Sequence, residues 1–228
     1  MNRLGFFIVF LALCASIAAA QPKFETGMTF TSGFPQNDFG KNVTHTGFGV
    51  TWDFFYEISH SPFSIGTSMG FLTYGSLTRP ELLTPDVVVD VNTSNNILMT
   101  NLVLRYQPPI SNRRIRPYVE GLFGFNYLWT QTSLGGGSNR ITSTNFSDSA
   151  RSYGGGAGLS LRLLQGGTPN SPPAFRMDLN FGIHYLFGGQ AEYLSKGAIR
   201  TENGNVVYEV NRSRTDLLVT NIGIGFSF

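Results

Sequence analysis

The sequence predicts an all-β chain whose strands close on themselves, and three observations carry that prediction. The last fourteen residues, "TDLLVTNIGIGFSF" (215 to 228), alternate: Leu218, Ile222, Ile224, Phe226 and Phe228 share one parity, interrupted only by Thr220, against Val219, Asn221, Gly223, Gly225 and Ser227. That period of two belongs to a strand with one greasy face. Composition agrees, since the 228 residues include 27 glycines and 20 phenylalanines while lysine and glutamate, the usual residues of helix surfaces, are scarce. Finally, the alternating stretches are separated by connections that are by turns short and long. A terminal strand of this kind invites aggregation unless both its edges are paired, so the end is expected to be built into a closed sheet.

The other terminus points to export. "MNRLGFFIVFLALCASIAAAQ" has Arg3, an apolar run from Leu4 to about Leu13, and Ala18, Ala19 and Ala20 before Gln21. This is the pattern of a secretory signal peptide over residues 1 to 20, with an A-x-A cleavage site, and its apolar run is short for a membrane-spanning helix. The single cysteine, Cys14, lies inside that segment, so the mature domain, 21 to 228, is expected to hold no disulfide, zinc site or thiol chemistry. A formal charge of +2 offers no basic patch for nucleic acid.

Eight strand candidates follow in order. The first (23 to 33) sets Phe24, Thr26, Met28 and Phe30 against Glu25, Gly27, Thr29 and Thr31, and the second (44 to 57) sets Phe48, Val50, Trp52, Phe54 and Tyr56 against Gly47, Gly49, Thr51 and Asp53. The third (63 to 75) opposes Phe63, Ile65, Met69 and Phe71 to Ser64, Gly66, Ser68 and Gly70. In the fourth (95 to 107) the faces are separated mainly by Asn101 and Arg105. The fifth (116 to 130) places Val119, Phe123, Phe125, Tyr127 and Trp129 opposite Tyr118, Glu120, Gly124 and Asn126. The sixth (152 to 164) has Tyr153, Ala157, Leu159, Leu161 and Leu163 against glycines, Ser160 and Arg162. The seventh (175 to 187) alternates best, with Arg176, Asp178, Asn180, Gly182 and His184 on its polar face, and the closing stretch is the eighth.

Connections after the second, fourth and sixth strands, "ISHSP", "PPISNRR" and "GGTPNSPP", are short or proline-rich. Those on the other side are longer and are expected as loops at about 34 to 43, 76 to 95, 131 to 150 and 188 to 214. Within the last, "TENGNVVYEV" alternates around Asn203-Gly204, a hairpin signal, and "DVVVDV" (86 to 91) offers a further strand. The "GGGS" at 135 to 138 has no helix after it to present an N-terminus to an anion, so it reads as a loop tip.

Alternation alone does not say which face is outside. Were the polar face the exterior of a soluble barrel, it would carry abundant lysine and glutamate and few glycines. Small residues interleaved with Glu25, Asp53, Arg105, Glu120, Arg162, Arg176, Asp178 and His184 suit instead a narrow interior where opposite charges pair, with Arg176 or Arg162 expected to meet Glu120 or Asp178. The phenylalanine-rich face then meets lipid, with Tyr and Trp near the interfaces. Lipid leaves no unpaired edge, so the last strand is expected to pair with the first.

On these residues the chain resembles the small eight-stranded bacterial outer-membrane β-barrel proteins, the plan of the OmpA transmembrane domain and the OmpX-like proteins. The motif that carries the resemblance is the final "IGIGFSF". It implies an integral outer-membrane location, lipid as surroundings, and a terminal strand (Ile222, Ile224, Phe226, Phe228) read by the outer-membrane assembly machinery. It brings no catalytic residue, metal or cofactor with it.

Three function classes follow. The first is a structural or surface-interaction protein whose filled barrel presents its outer loops to an extracellular protein or surface ligand. The second is a small pore for ions or solutes, which an eight-stranded interior, about wide enough for its own side chains, does not offer by default. The third is a lipid-modifying enzyme, which needs a nucleophile, base and orienting acid in mutual reach, and neither His45, His60 nor His184 has such partners at a recognisable spacing.

Overall fold

A computed structural model describes residues 24 to 84, 87 to 109, 114 to 134, 141 to 167, 175 to 202 and 205 to 228. The predicted signal peptide and the "GGGS" tip lie outside the described residues. Ten strands and one short helix form among them: β1 (Phe24–Pro35), α1 (Asn37–Asn42), β2 (Gly47–Glu57), β3 (Phe63–Thr84), β4 (Val87–Tyr106), β5 (Ile115–Leu134), β6 (Ile141–Gly166), β7 (Phe175–Gly188), β8 (Gln190–Glu202), β9 (Asn205–Arg214) and β10 (Leu217–Ser227). Eight of the strands close an antiparallel barrel in the order β1-β10-β7-β6-β5-β4-β3-β2, while β8 and β9 form a separate two-stranded ribbon. Neighbours in the barrel follow one another along the chain except where the ring closes, so the topology is up-and-down with the ribbon inserted between β7 and β10.

Closure is made by the chain's two ends. β10 pairs with β1 from Glu25↔Ser227 to Pro35↔Leu217, and the backbones of Phe24 and Phe228 exchange hydrogen bonds of 3.1 and 3.0 Å beyond them. β10 is therefore an interior member of a ring with no edge, as hydrocarbon requires.

The large apolar side chains point outward. Met28, Phe123 and Leu102 are each about 60% exposed, and the exposed set runs round every barrel strand. Aromatic pairs within it form two belts, with Trp52, Phe123 and Phe125 between them. Below, Phe24 packs on Tyr56, Phe63 on Tyr106 and Phe175 on Phe226; above, Phe30 on Phe48, Phe71 on Trp129 and Tyr153 on Phe187. The outward apolar stretch of β3, from Phe63 to Phe71, matches the roughly 9 to 11 residues with which a tilted strand crosses hydrocarbon. Trp52 stands between the belts, and its indole N–H is satisfied by Thr26 Oγ1 at 2.9 Å rather than left bare toward lipid.

Glycines on the inward faces let strands and rings approach. A Cβ at Gly49 would overlap the Phe71 carbonyl oxygen, and one at Gly158 would overlap both that of Phe181 and the Tyr118 hydroxyl. These positions explain why the polar face is as small as it is charged.

Two loop expectations are corrected. Residues 76 to 95 and 131 to 150 are mostly strand: β3 and β4 pair in register out to Thr84↔Val87, and β5 and β6 out to Leu134↔Ile141. These extensions stand above the lipid-facing wall, so hydrocarbon no longer enforces alternation along them; their threonines and valines favour strand all the same. The loop at 34 to 43 contains α1, and 188 to 214 contains the ribbon, whose Glu202↔Asn205 pairing flanks the predicted Asn203-Gly204 turn.

Candidate functional site

The inward faces of the eight strands meet on the barrel axis, and three layers fill the space there. The lowest, toward the short connections, is ionic. Arg105 on β4 faces Glu120 on β5 in register, donating from Nε to Glu120 Oε1 at 2.6 Å and from Nη1 to Glu25 Oε1 at 2.8 Å. Its guanidinium carbon lies 3.7 Å from the Phe55 ring centroid and 4.4 Å from that of Tyr118. The planar group thus uses its edge for carboxylates and its faces for rings, which an ammonium cannot do.

His184 Nε2 lies 2.5 Å from Glu120 Oε2, and since an ionised carboxylate only accepts, the ring nitrogen donates. Arg176 donates from Nε to Asp178 at 2.7 Å and from Nη2 to Glu57 at 2.9 Å, while Arg116 Nη2 reaches the same Asp178 oxygen at 2.5 Å. A third Arg176 contact, to Glu25 at 3.5 Å, joins the two halves into one network. Buried ions are tolerated at such a density only when each is met from several sides.

Six of the eight predicted interior residues therefore meet in one cluster: Glu25, Arg105, Glu120, Arg176, Asp178 and His184. Asp53 stands apart, opposite Ser68 in register and lining the cavity above. Arg162 is in register with Asp178, and its Nη1 donates to Gln165 Oε1 at 2.7 Å near the lower rim. Sequence reasoning missed Glu57 and Arg116 as members. Both carry the right parity, Glu57 with Asp53 and Arg116 with Tyr118 and Glu120, but they sit at strand ends, where a face assignment has no further residue to support it.

The middle layer is polar. A cavity of about 40 Å³ is walled by Thr29, Asp53, Asn101, Asn180 and Asn221 among others, with Arg105 and His184 at its floor. The top layer is apolar and closes the mouth. Phe39 of α1 is fully buried, its ring edge-on to Tyr193 of β8 at 4.9 Å and to Tyr74 of β3 at 5.9 Å. Leu72, Ile97, Leu128, Leu186 and Leu217 from the barrel wall complete the cluster.

Polar contacts pin this plug from above. Asn42 Nδ2 donates to Tyr193 Oη at 2.9 Å, Ser195 Oγ to the Asn42 carbonyl at 2.8 Å, and Tyr74 Oη to the Leu194 carbonyl at 3.3 Å. Burial, with Tyr193 beside it, raises the Tyr74 hydroxyl's pKa, so the plug stays uncharged in ordinary buffers. On the exposed side of α1, Lys41 donates to Asp38 at 2.7 Å and holds that carboxylate below its usual range. Asp216 ties the helix to the barrel, accepting from Asn37 Nδ2 at 2.8 Å and from the Gly188 N–H at 2.9 Å.

Beyond the mouth, β3, β4, β5 and β6 continue as a four-stranded sheet, since β2 pairs with β3 only as far as Thr73 and β7 with β6 only from Ser152. Ribbon residues Leu194, Ala198 and Ile199 pack together with Phe146 of β6.

An edgeless ring with aromatic belts outside and ion pairs inside is a membrane-spanning barrel, long connections at one end and chain termini at the other. The chain belongs to the outer membrane protein beta-barrel domain family, whose model matches residues 6 to 228. It is therefore an integral protein of the bacterial outer membrane. Comparison with curated proteins gave no match. Among solved structures, the chain is similar to Neisserial surface protein A, at 12% identity and a TM-score of 0.41 over 90% of this chain and 95% of that one. It is also similar to the Yersinia pestis attachment invasion locus protein Ail, at 14% and 0.38 over 92% and 100%, and to a major outer membrane protein from Thermus thermophilus, at 12% and 0.45 over 89% and 99%.

Proposed function

We propose that the protein is a non-catalytic surface-interaction barrel, whose filled lumen is a rigid pedestal for the extracellular sheet and ribbon. The observation that carries this reading is the β3-to-β6 sheet standing above the mouth, whose two outer strands pair on that side with no described strand; the start of β8 crosses the β6 edge at Arg151, whose carbonyl accepts from the Gly189 N–H at 2.7 Å, and at Asp148, whose Oδ2 accepts from the Glu192 N–H at 2.8 Å. The β3 edge bears Pro80, which blunts strand addition, whereas residues 141 to 150 of β6 contain neither proline nor lysine. An extended segment of a host or matrix protein is the partner such an edge takes, by main-chain pairing. The layered filling weighs against a pore, and among the described residues no nucleophile and base are brought together in the lumen to support lipid chemistry.

The test is adhesion of cells displaying the protein to immobilised fibronectin, laminin and collagen, against cells displaying a variant with Ser143→Lys and Ser147→Pro, which blunt the β6 edge. Binding to at least one surface, lost in the variant, is the expected result. Absence of binding to all three, together with stepwise ion conductance of the folded protein in a planar bilayer, contradicts it and favours the pore.

Residues 1 to 20 act in this reading as the removed export signal, and Ile222, Ile224, Phe226 and Phe228 as the assembly signal. Deleting Phe228 is expected to lower the amount of protein in outer-membrane fractions several-fold while leaving refolding of the purified chain into detergent nearly unchanged. Equal losses in both assays would make the residue structural only.

A further inference from the structure

We infer that the outward face of β5 and β6 binds one phosphorylated glycolipid of the outer leaflet, with Arg151 as its phosphate ligand. Residues paired across antiparallel strands share a face. Climbing from mid-membrane, the outward pairs are Gly121↔Gly155, Phe123↔Tyr153, Phe125↔Arg151, Tyr127↔Ser149, Trp129↔Ser147 and, past a bulge, Gln131↔Thr144. The wall thus runs from apolar through cationic to uncharged and polar. Acyl chain, phosphate and sugar succeed one another in that order in such a lipid.

Each zone has room or groups to spare. Between Ile65, Leu102, Leu104 and Phe123 lies a groove of about 300 Å³, lined also by Gly121. A Cβ at Gly121 would meet no atom within 4 Å, so nothing in the barrel calls for glycine there, and its effect is to keep the groove open toward hydrocarbon. Arg151 is exposed one outward position above Tyr153 of the upper belt, and among the described residues its guanidinium makes no ion pair or hydrogen bond. Lipid phosphates lie at the depth of such a belt, and a guanidinium takes phosphate oxygens in pairs. Above it Thr144, Ser147 and Ser149 are exposed, and neither they nor their partners on β5 carry a charge. Ser94 opposite Gln131 and Asn96 opposite Trp129 continue this hydroxyl and amide surface onto β4. Hydroxyls and amides both donate and accept, as the hydroxyls of a sugar do. A plain phospholipid would leave that surface unused.

Binding is read by native mass spectrometry of the purified, detergent-folded protein, titrated with rough lipopolysaccharide or with phosphatidylglycerol, which has phosphate and acyl chains but no saccharide. One lipopolysaccharide per barrel is expected, held at least about tenfold more tightly than phosphatidylglycerol and not displaced by excess inorganic phosphate. Arg151→Gln is expected to weaken it about tenfold, the equivalent of one charge-assisted hydrogen bond. Gly121→Leu, which fills the groove, is expected to weaken both lipids, whereas Gln131→Ala with Thr144→Ala is expected to narrow the margin between them. Heat-modifiable gel migration checks that each variant is folded. Equal affinities of the wild type for the two lipids, displacement by inorganic phosphate, or lipopolysaccharide binding that Arg151→Gln leaves unchanged would each reduce the face to an ordinary lipid boundary and overturn the assignment.

Discussion

Replacing Arg105 with methionine is expected to cost about 3 to 5 kcal/mol of stability, the range for removing one partner from a buried ion pair. The side chain's volume is nearly kept, so the loss is electrostatic. Glu120 keeps His184 and Glu25 keeps its longer contact to Arg176, but both lose their shortest charge-assisted hydrogen bonds to an arginine. Reversible urea unfolding in lipid vesicles reads the effect. The triple variant Arg105→Met, Glu25→Gln, Glu120→Gln is expected to recover part of it, because the two carboxylates that Arg105 served are then no longer charged. Arg105→Lys is expected to fall between wild type and methionine, since an ammonium keeps the charge and loses both the fork and the stacking on Phe55 and Tyr118. A methionine variant as stable as wild type would mean that the network adds nothing to the fold.

The second large effect belongs to the outer wall. Leu102, midway along the outward apolar run of β4 and 60% exposed, is the kind of position where arginine at mid-membrane depth costs about 2 to 4 kcal/mol. At Tyr106, on the lower aromatic belt of the same strand, the same change is expected to cost about 0 to 1 kcal/mol, because the side chain reaches water there. The gradient along one strand is the prediction. Equal costs at both positions would place the wall in a medium without depth, which is water.

The barrel was legible because lipid outside and a narrow lumen inside force strict alternation. From Phe24 to Trp129 and from Phe175 to Phe228, parity along the membrane-spanning stretches follows the side of the wall. Legibility stopped where that constraint stops. Residues 76 to 95 and 131 to 150 rise above the lipid-facing wall, so hydrocarbon no longer enforces a two-residue pattern along them. The helix α1 is a six-residue element whose single apolar anchor, Phe39, gives no period to read. The mouth plug depends on Tyr193 reaching Phe39 from a distant part of the chain, a contact no local spacing reports. In the ionic layer, parity told which residues face inward, but partner choice depends on barrel stagger. Arg105 meets Glu25 across the lumen because the ring closes, not because the two are near in sequence.

The phenylalanine-rich face meets hydrocarbon, and the chain's two tryptophans, Trp52 and Trp129, allow a direct test. With Trp129→Phe, the remaining fluorescence comes from Trp52, which stands on the outer wall between the aromatic belts and is 53% exposed in the bare protein. In vesicles of lipids brominated along the acyl chain, that emission is expected to be strongly quenched and to be shielded from aqueous iodide. Emission quenched by iodide and indifferent to brominated acyl chains would put Trp52 in water and contradict the inside-out barrel.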